Sequence, residues 1–349
     1  MPTGNAHGRR PRRWLFLSLV LALSVGGSAC VIRPSASGGD VTFYWDFGPA
    51  RLGCSQVPGV AEVVVDIAGE RLENDGVYGC ANGGVAGITL FDFAPGTYDY
   101  TLWARDQSGA VLYQASGTFR VDGSISVPVT LIPSPSATGS VYLTWSFPGG
   151  RRCSADPAIT TVQVSFDQGT PIAIPCSDGQ TTDGALVSNL YGGAHQIDLL
   201  AMGASGFTYY AASSTLDVYP GGAAAYDYQL DWAAGGLAVR WRLWDGQTEL
   251  TCAQAHVTTV YVNLVDPSGH FVYDPNQSGV AVDCVDGQGL QGTVFPYLSP
   301  GTYQVLFQAR PTVDQWYSTD QVQKPTASVS RGVFPALGGQ SPVYDLVLQ

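Results

Sequence analysis

The sequence predicts an all-β chain of three tandem two-layer sandwiches, each closed by one internal disulfide. Three observations carry this prediction: an alternating strand motif that recurs roughly every 100 residues, a cysteine pair inside each recurrence, and the lack of any long apolar stripe at helical spacing. Residues 39–47, 139–147 and 236–243 open the three copies, and every second residue is apolar: Val41, Phe43, Trp45, Phe47; Val141, Leu143, Trp145, Phe147; Leu237, Val239, Trp241, Leu243. A period of two is that of a half-buried strand. A cysteine follows each opening strand, and then a second alternating strand marked by Val63/Val65, Val162/Val164 and Val260/Val262. After a second cysteine comes a further strand with its apolar face at Tyr98–Ala104, His195–Ala201 and Tyr303–Ala309, and a last strand ends near Leu131, Leu230 and Leu348. The expected units are 39–132, 139–231 and 235–349. A repeat this long means whole repeated domains rather than a solenoid of small units.

Of seven cysteines, Cys30 stands apart and six remain, two per copy. Six cysteines allow about 15 pairings, and repetition selects Cys54–Cys80, Cys153–Cys176 and Cys252–Cys284. Metal binding by these thiols would need closely spaced pairs or adjacent histidines, which are missing, so no metal and no cofactor is expected.

Residues 1–29 read as an export signal, with Arg9, Arg10, Arg12 and Arg13 ahead of the apolar run 14–25, which is too short to span a bilayer. The sequence Gly27-Ser28-Ala29-Cys30 resembles the lipobox of bacterial lipoprotein signal peptides. That resemblance implies acylation of Cys30, a membrane partner reached through the N-terminal lipid, and a cell-envelope location with a short tether over 30–38. Val31 is not the aspartate that resembles an inner-membrane retention signal, so the outer membrane is expected. Export also supplies the oxidising compartment in which disulfides persist.

Residues 1–29 carry four of the 16 basic residues and none of the 28 acidic ones, so the remainder has a net charge of −16 and one lysine, Lys324. Such a surface repels phosphate backbones, and no nucleic acid is expected as a partner. Hydrophobic residues make up 45 %, which excludes wholesale disorder, while charged residues reach only 13 %.

The elements Ala94-Pro95-Gly96-Thr97-Tyr98 and Ser299-Pro300-Gly301-Thr302-Tyr303 resemble the turn-and-strand of carboxypeptidase-regulatory-like and related immunoglobulin-like domains. The resemblance implies an immunoglobulin-like sandwich whose tyrosine enters a core strand, and it implies a fold rather than an activity. In the second copy Gly192-Gly193-Ala194-His195 replaces the motif.

Beyond the signal there are three histidines. His195 takes the aromatic's place and reads as a packed, hydrogen-bonded residue, while His256 and His270 fall in loops. No protease, hydrolase, nucleotide or dinucleotide motif is present, and no polar constellation is shared by all three copies, so no catalytic residue is assigned. Asp66, Glu70, Glu73 and Asp75 supply hard oxygens of the kind calcium takes, but their spacing fits no calcium loop and they read as solvated acids. Alternation turns Tyr44, Trp103 and Tyr142, and one of Tyr209 and Tyr210, away from the cores, making them candidate binding residues. The function expected is non-catalytic display of the sandwiches to an envelope protein. The alternative is a glycan- or small-ligand-binding module using the outward aromatics.

Overall fold

The computed structural model of the protein describes residues 38–83, 87–273, 279–289, 292–311, 315–319, 324–335 and 342–349. The signal segment, Cys30 and all of the tether except Gly38 lie outside the described residues.

The first sandwich comprises β1 (Gly39–Phe47), β2 (Glu62–Ile67), β3 (Val77–Gly79), β4 (Ile88–Phe93), β5 (Gly96–Arg105), β6 (Val111–Val121) and β7 (Ile125–Pro133). One layer is β7-β1-β4 and the other β3-β2-β5-β6. The two layers join where Tyr113 and Gln114 of β6 pair with Pro133 and Ile132 of β7. The second sandwich repeats the plan with β8 (Thr138–Ser146), β9 (Thr161–Phe166), β10 (Ile172–Pro175), β11 (Ala185–Tyr191), β12 (Gly193–Met202), β13 (Thr208–Val218), β14 (Ala223–Gln229) and β15 (Asp231–Trp232). Its layers are β11-β8-β14 and β10-β9-β12-β13-β15. The third holds β16 (Gly235–Trp244), β17 (Glu249–Leu250), β18 (Thr259–Val265), β19 (Val280–Asp283), α1 (Cys284–Gln288), β20 (Thr293–Leu298), β21 (Gly301–Ala309), β22 (Tyr317–Ser318), β23 (Thr326–Val329) and β24 (Val343–Leu348). The protein is therefore all-β, a row of three immunoglobulin-like sandwiches.

In every copy the opening strand lies parallel to the closing one. Val41–Phe47 run beside Ile125–Leu131, Ser140–Ser146 beside Ala223–Gln229, and Arg240–Trp244 beside Val343–Val347. The chain thus enters each sandwich at one pole and leaves at the other. Three separate cores fill the layers: 21 buried residues from Val41 to Leu131 in the first, 19 from Val141 to Leu230 in the second, and 22 from Leu237 to Leu346 in the third. Alternation explains their membership, since the opening-strand residues at every second position are almost wholly buried.

Disulfides join Cys54 to Cys80, Cys153 to Cys176 and Cys252 to Cys284, closing loops of 26, 23 and 32 residues. Closing loops of this size contributes about 3–4 kcal/mol each through the unfolded chain's lost freedom. Each bond also anchors a tryptophan. After the second cysteine the copies read Cys80-Ala-Asn-Gly83, Cys176-Ser-Asp-Gly179 and Cys284-Val-Asp-Gly287, and the glycine lies flat on the indole of Trp45, Trp145 or Trp241. A Cβ at any of the three would overlap the ring. The indole N–H of Trp45 donates to the Cys80 carbonyl and that of Trp145 to the Cys176 carbonyl, both at 2.9 Å. In the third copy this turn is α-helical, and the Trp241 indole nitrogen is buried with no partner among the described residues.

Candidate interaction surfaces

The sequence motif that replaces tyrosine with histidine preserves one bond. Tyr98 donates to the Ala94 carbonyl at 3.0 Å and Tyr303 to the Ser299 carbonyl at 2.7 Å, each four residues back. His195 reaches the equivalent carbonyl, that of Tyr191, through Nε2 at 2.8 Å. Its other nitrogen, Nδ1, lies 2.6 Å from Asp167 Oδ2, so both ring nitrogens face acceptors. The hydrogen bond from His195, with a second from the Gln196 amide, holds the Asp167 carboxyl below its ordinary value. His256 and His270 sit exposed in turns, as loops require.

A polar position retained in all three copies does exist, contrary to the expectation from sequence: Asn82, Asp178 and Asp286 precede the tryptophan-seating glycines. Gln180 and Gln288 follow those glycines, and their side-chain oxygens accept from the backbone N–H of Cys153 and Cys252 at 3.1 and 3.0 Å. The two glutamines satisfy backbone donors beside the disulfides, which is a structural duty. Short motifs of the form Cys-x-Asx-Gly-Gln were readable in the chain and mark these supports. Asp66, Glu70, Glu73 and Asp75 lie exposed on β2 and the turns that follow it, and no group of three or more metal-ligating side chains is found among the described residues.

Tyr44, Trp103 and Tyr142 all point away from their cores, and each is half-buried. They do not share a surface. Tyr44 lies on the outer face of β7-β1-β4, while Trp103 lies on the outer face of β3-β2-β5-β6, on the opposite side of the same sandwich. Trp103 is flanked by the Arg105 guanidinium 5.9 Å from its ring. Tyr142 sits on the second sandwich, between Leu186 of β11 and Ala225 of β14.

Tyr210 is buried, so Tyr209 is the outward member of that pair, and it meets the third sandwich. Its ring lies 5.1 Å from Tyr297. Trp232 is the centre of this junction, 4.2 Å from Tyr210 and 4.6 Å from Phe334, with the Arg151 guanidinium 5.3 Å from its ring. Backbone bonds reinforce the rings: Ala233 N–H donates to Tyr209 O, Gly332 to Ala234 O and Gly236 to Val333 O. Tyr297 has φ +59°, where the first two copies place Asp92 and Asn189 at +64° and +62°. Asp and Asn tolerate this region, whereas a tyrosine there costs about 1–2 kcal/mol. That strain is offset by the ring contacts across the junction.

The junction between the first and second sandwiches uses small residues. A Cβ on Gly222 would overlap Pro58, and Gly221 lies against Leu112. Ser134 N–H donates to Leu112 O, Ala137 to Ser134 O and Gly192 to Ala137 O, so the connecting segment is hydrogen-bonded along its length. Beside it an apolar recess is lined by Phe47, Leu52, Tyr113 and Pro133 from one side and Val218 and Tyr219 from the other. Burial pushes the Tyr113 phenol well up. Among the described residues no helix is long and apolar enough to cross a membrane.

No protein-family model matches the chain, and no curated protein matches it. Among known structures it is similar to the streptococcal ancillary pilin, with 13 % identity, a TM-score of 0.35, and coverage of 89 % of this chain and 99 % of that one. It is similar to the Bacillus anthracis TIE protein (11 % identity, TM-score 0.27, 89 % of this chain) and spans 50 % of that chain's length. A third similarity is to the major pilin subunit of Bacillus cereus, at 11 % identity and TM-score 0.24 over 90 % of this chain and 100 % of that one. Scores this low carry no argument about function, which rests on the chain's own geometry.

Proposed function

We propose that this chain is a non-catalytic cell-envelope protein that holds three sandwiches in a stiff row and presents them to an envelope partner. On this reading Cys30 is acylated, residues 30–38 form the tether, and the folded units are 39–132, 139–231 and 235–349. The observation that carries the proposal is the pair of ordered junctions. Neither connection is a free linker, and each is packed and hydrogen-bonded from both sides. What the copies repeat is also structural: the disulfide, the indole on its glycine, and the tyrosine or histidine bond to a carbonyl. A tethered row keeps even weak contacts at high effective concentration beside the membrane.

Two measurements test this. Wild-type protein should fractionate with membranes, and Cys30→Ser should release or fail to process it; a normally cleaved variant with unchanged localisation would refute the anchor. Crosslinking in intact cells followed by capture should recover an envelope protein through residues on the sandwiches. Recovery of a turned-over small substrate instead would refute the display role.

A further inference from the structure

We propose that the edge strand β11 of the second sandwich pairs with the same strand of a second copy of this chain. β11 ends the layer β11-β8-β14: it is bonded to β8 on one side and, among the described residues, to no strand on the other. Every residue of this sandwich is described, and Leu186 in mid-strand is 53 % exposed, so the unit does not cover its own edge. Unpaired main-chain N–H and C=O groups along such an edge are a template for another strand, and chains ordinarily guard them with charge, proline or brevity.

The other long edges are guarded. Among the described residues the end strands of more than four residues are β4, β11, β14 and β20. β4 carries Asp92, β14 carries Asp227, and β20 carries Pro296, which has no N–H to give. β11 reads Ala185-Leu-Val-Ser-Asn-Leu-Tyr191 and holds neither charge nor proline. A bulge after Ser188 leaves Ala185–Ser188 as its straight run. The same number of residue pairs, four, seats β10 on β9 in this sandwich.

Charge and symmetry favour a second copy as the occupant. With 28 acidic residues against 16 basic ones, two copies repel across most of their surface. Self-pairing of β4 or β14 would bring two carboxylates onto one short stretch of sheet, which is unfavourable. β11 brings none, and β8 beside it holds no charged residue either. Asp183, just ahead of the strand, is carried to opposite ends of the joint when the copies run antiparallel, as a two-fold axis requires. Leu186 lies in one outward row with Tyr142 of β8 and Ala225 of β14. Pairing sets Leu186 of both copies side by side, so the apolar row closes on itself and the two layers become one sheet. This inference goes beyond display and does not depend on the anchor.

The test is sedimentation velocity on residues 31–349 in oxidised form. An interface this small is weak, so dimer should grow in between about 10 μM and 1 mM protein. Added salt should strengthen it, because screening relieves the repulsion of two acidic copies. Leu186→Lys should raise the dimer Kd about 10-fold or more by setting like charges side by side. Phe91→Lys, on the equivalent edge of the first sandwich and 68 % exposed, should leave it unchanged. Both sites are exposed, so both variants should melt like wild type. Hydrogen exchange on the wild type reads the same contact without a variant: amides within Ala185–Ser188 should slow as concentration rises. The proposal is overturned if the chain stays monomeric to about 1 mM, if Leu186→Lys leaves the Kd unchanged, if Phe91→Lys weakens the dimer equally, or if exchange at Ala185–Ser188 ignores concentration. Cys30 is absent from this protein, so the outcome is separable from that of the anchor and display role.

Discussion

Between the first and second sandwiches the chain packs prolines and glycines, with Gly221 and Gly222 seated against Leu112 and Pro58; between the second and third it packs rings, with Trp232 against Tyr210 and Phe334. Glycines bring backbones close but bury little apolar area. Aromatic side chains bury about 150–250 Å² each when fully enclosed. The first junction is therefore a matter of shape, in which any added atom is felt, and the second a matter of area, in which any removed atom is felt. The strained Tyr297 backbone is found at the second alone, where ring contacts are abundant enough to hold it.

The most disruptive change should be Trp232→Ala. Removing the central ring should cost about 2–4 kcal/mol at the aromatic junction, since the indole is only half-buried. Calorimetry should then show the third sandwich melting apart from the second, while the contact of first with second is unchanged. Coincident melting in the variant would show that the rings do not couple the two units.

Gly222→Val probes the other mechanism. Its side chain has no room beside Pro58, and overpacking of this kind costs about 1–3 kcal/mol. Small-angle scattering should report a changed angle between the first two sandwiches, with all three cores intact. An unchanged profile would mean that the close approach is not what sets the angle.

Tyr297→Asn separates strain from contact. Asparagine relieves about 1 kcal/mol of backbone cost and loses the ring contacts. The third sandwich alone should gain or hold stability while hydrogen exchange rises at Ala233 and Gly236. Slower exchange there would show the tyrosine to be a liability rather than a clasp.

The smallest expected effect depends on pH. Asp167, bonded by His195, titrates below its ordinary value of 3.8 in the folded protein. Its contribution is therefore complete above the unfolded value and is lost as pH falls through the lowered one. The second sandwich should weaken below about pH 4, and His195→Phe should flatten that dependence while leaving the aromatic junction alone. An identical acid profile in the variant would remove the pair from the account.

Much of this architecture was legible from residue order. Val41, Phe43, Trp45 and Phe47 alternate because one face of a strand must be buried, and repetition of the cysteines singled out their partners. His195 was readable as a tyrosine substitute because it holds a tyrosine's place between two repeats. The junctions were not legible. Trp232 and Phe334 lie about 100 residues apart in sequence, so no local period connects them. Tyr44 and Trp103 show the converse: alternation gave their outward direction, but which layer each belongs to depends on strand order, and strand order puts them on opposite sides.

The parallel pairing of first and last strands has a mechanical consequence. A pull along the chain enters a sandwich through its opening strand and leaves from the opposite pole through its closing strand. The two neighbours are then slid past one another in shear, and the rungs between them share the tension instead of parting one at a time. Among the described residues seven pairs resist in the first sandwich, seven in the second and five in the third, so the third should yield first when the row is stretched. After it yields, the Cys252–Cys284 bond keeps the 32-residue span between its cysteines from paying out, which limits how far the tip can recede.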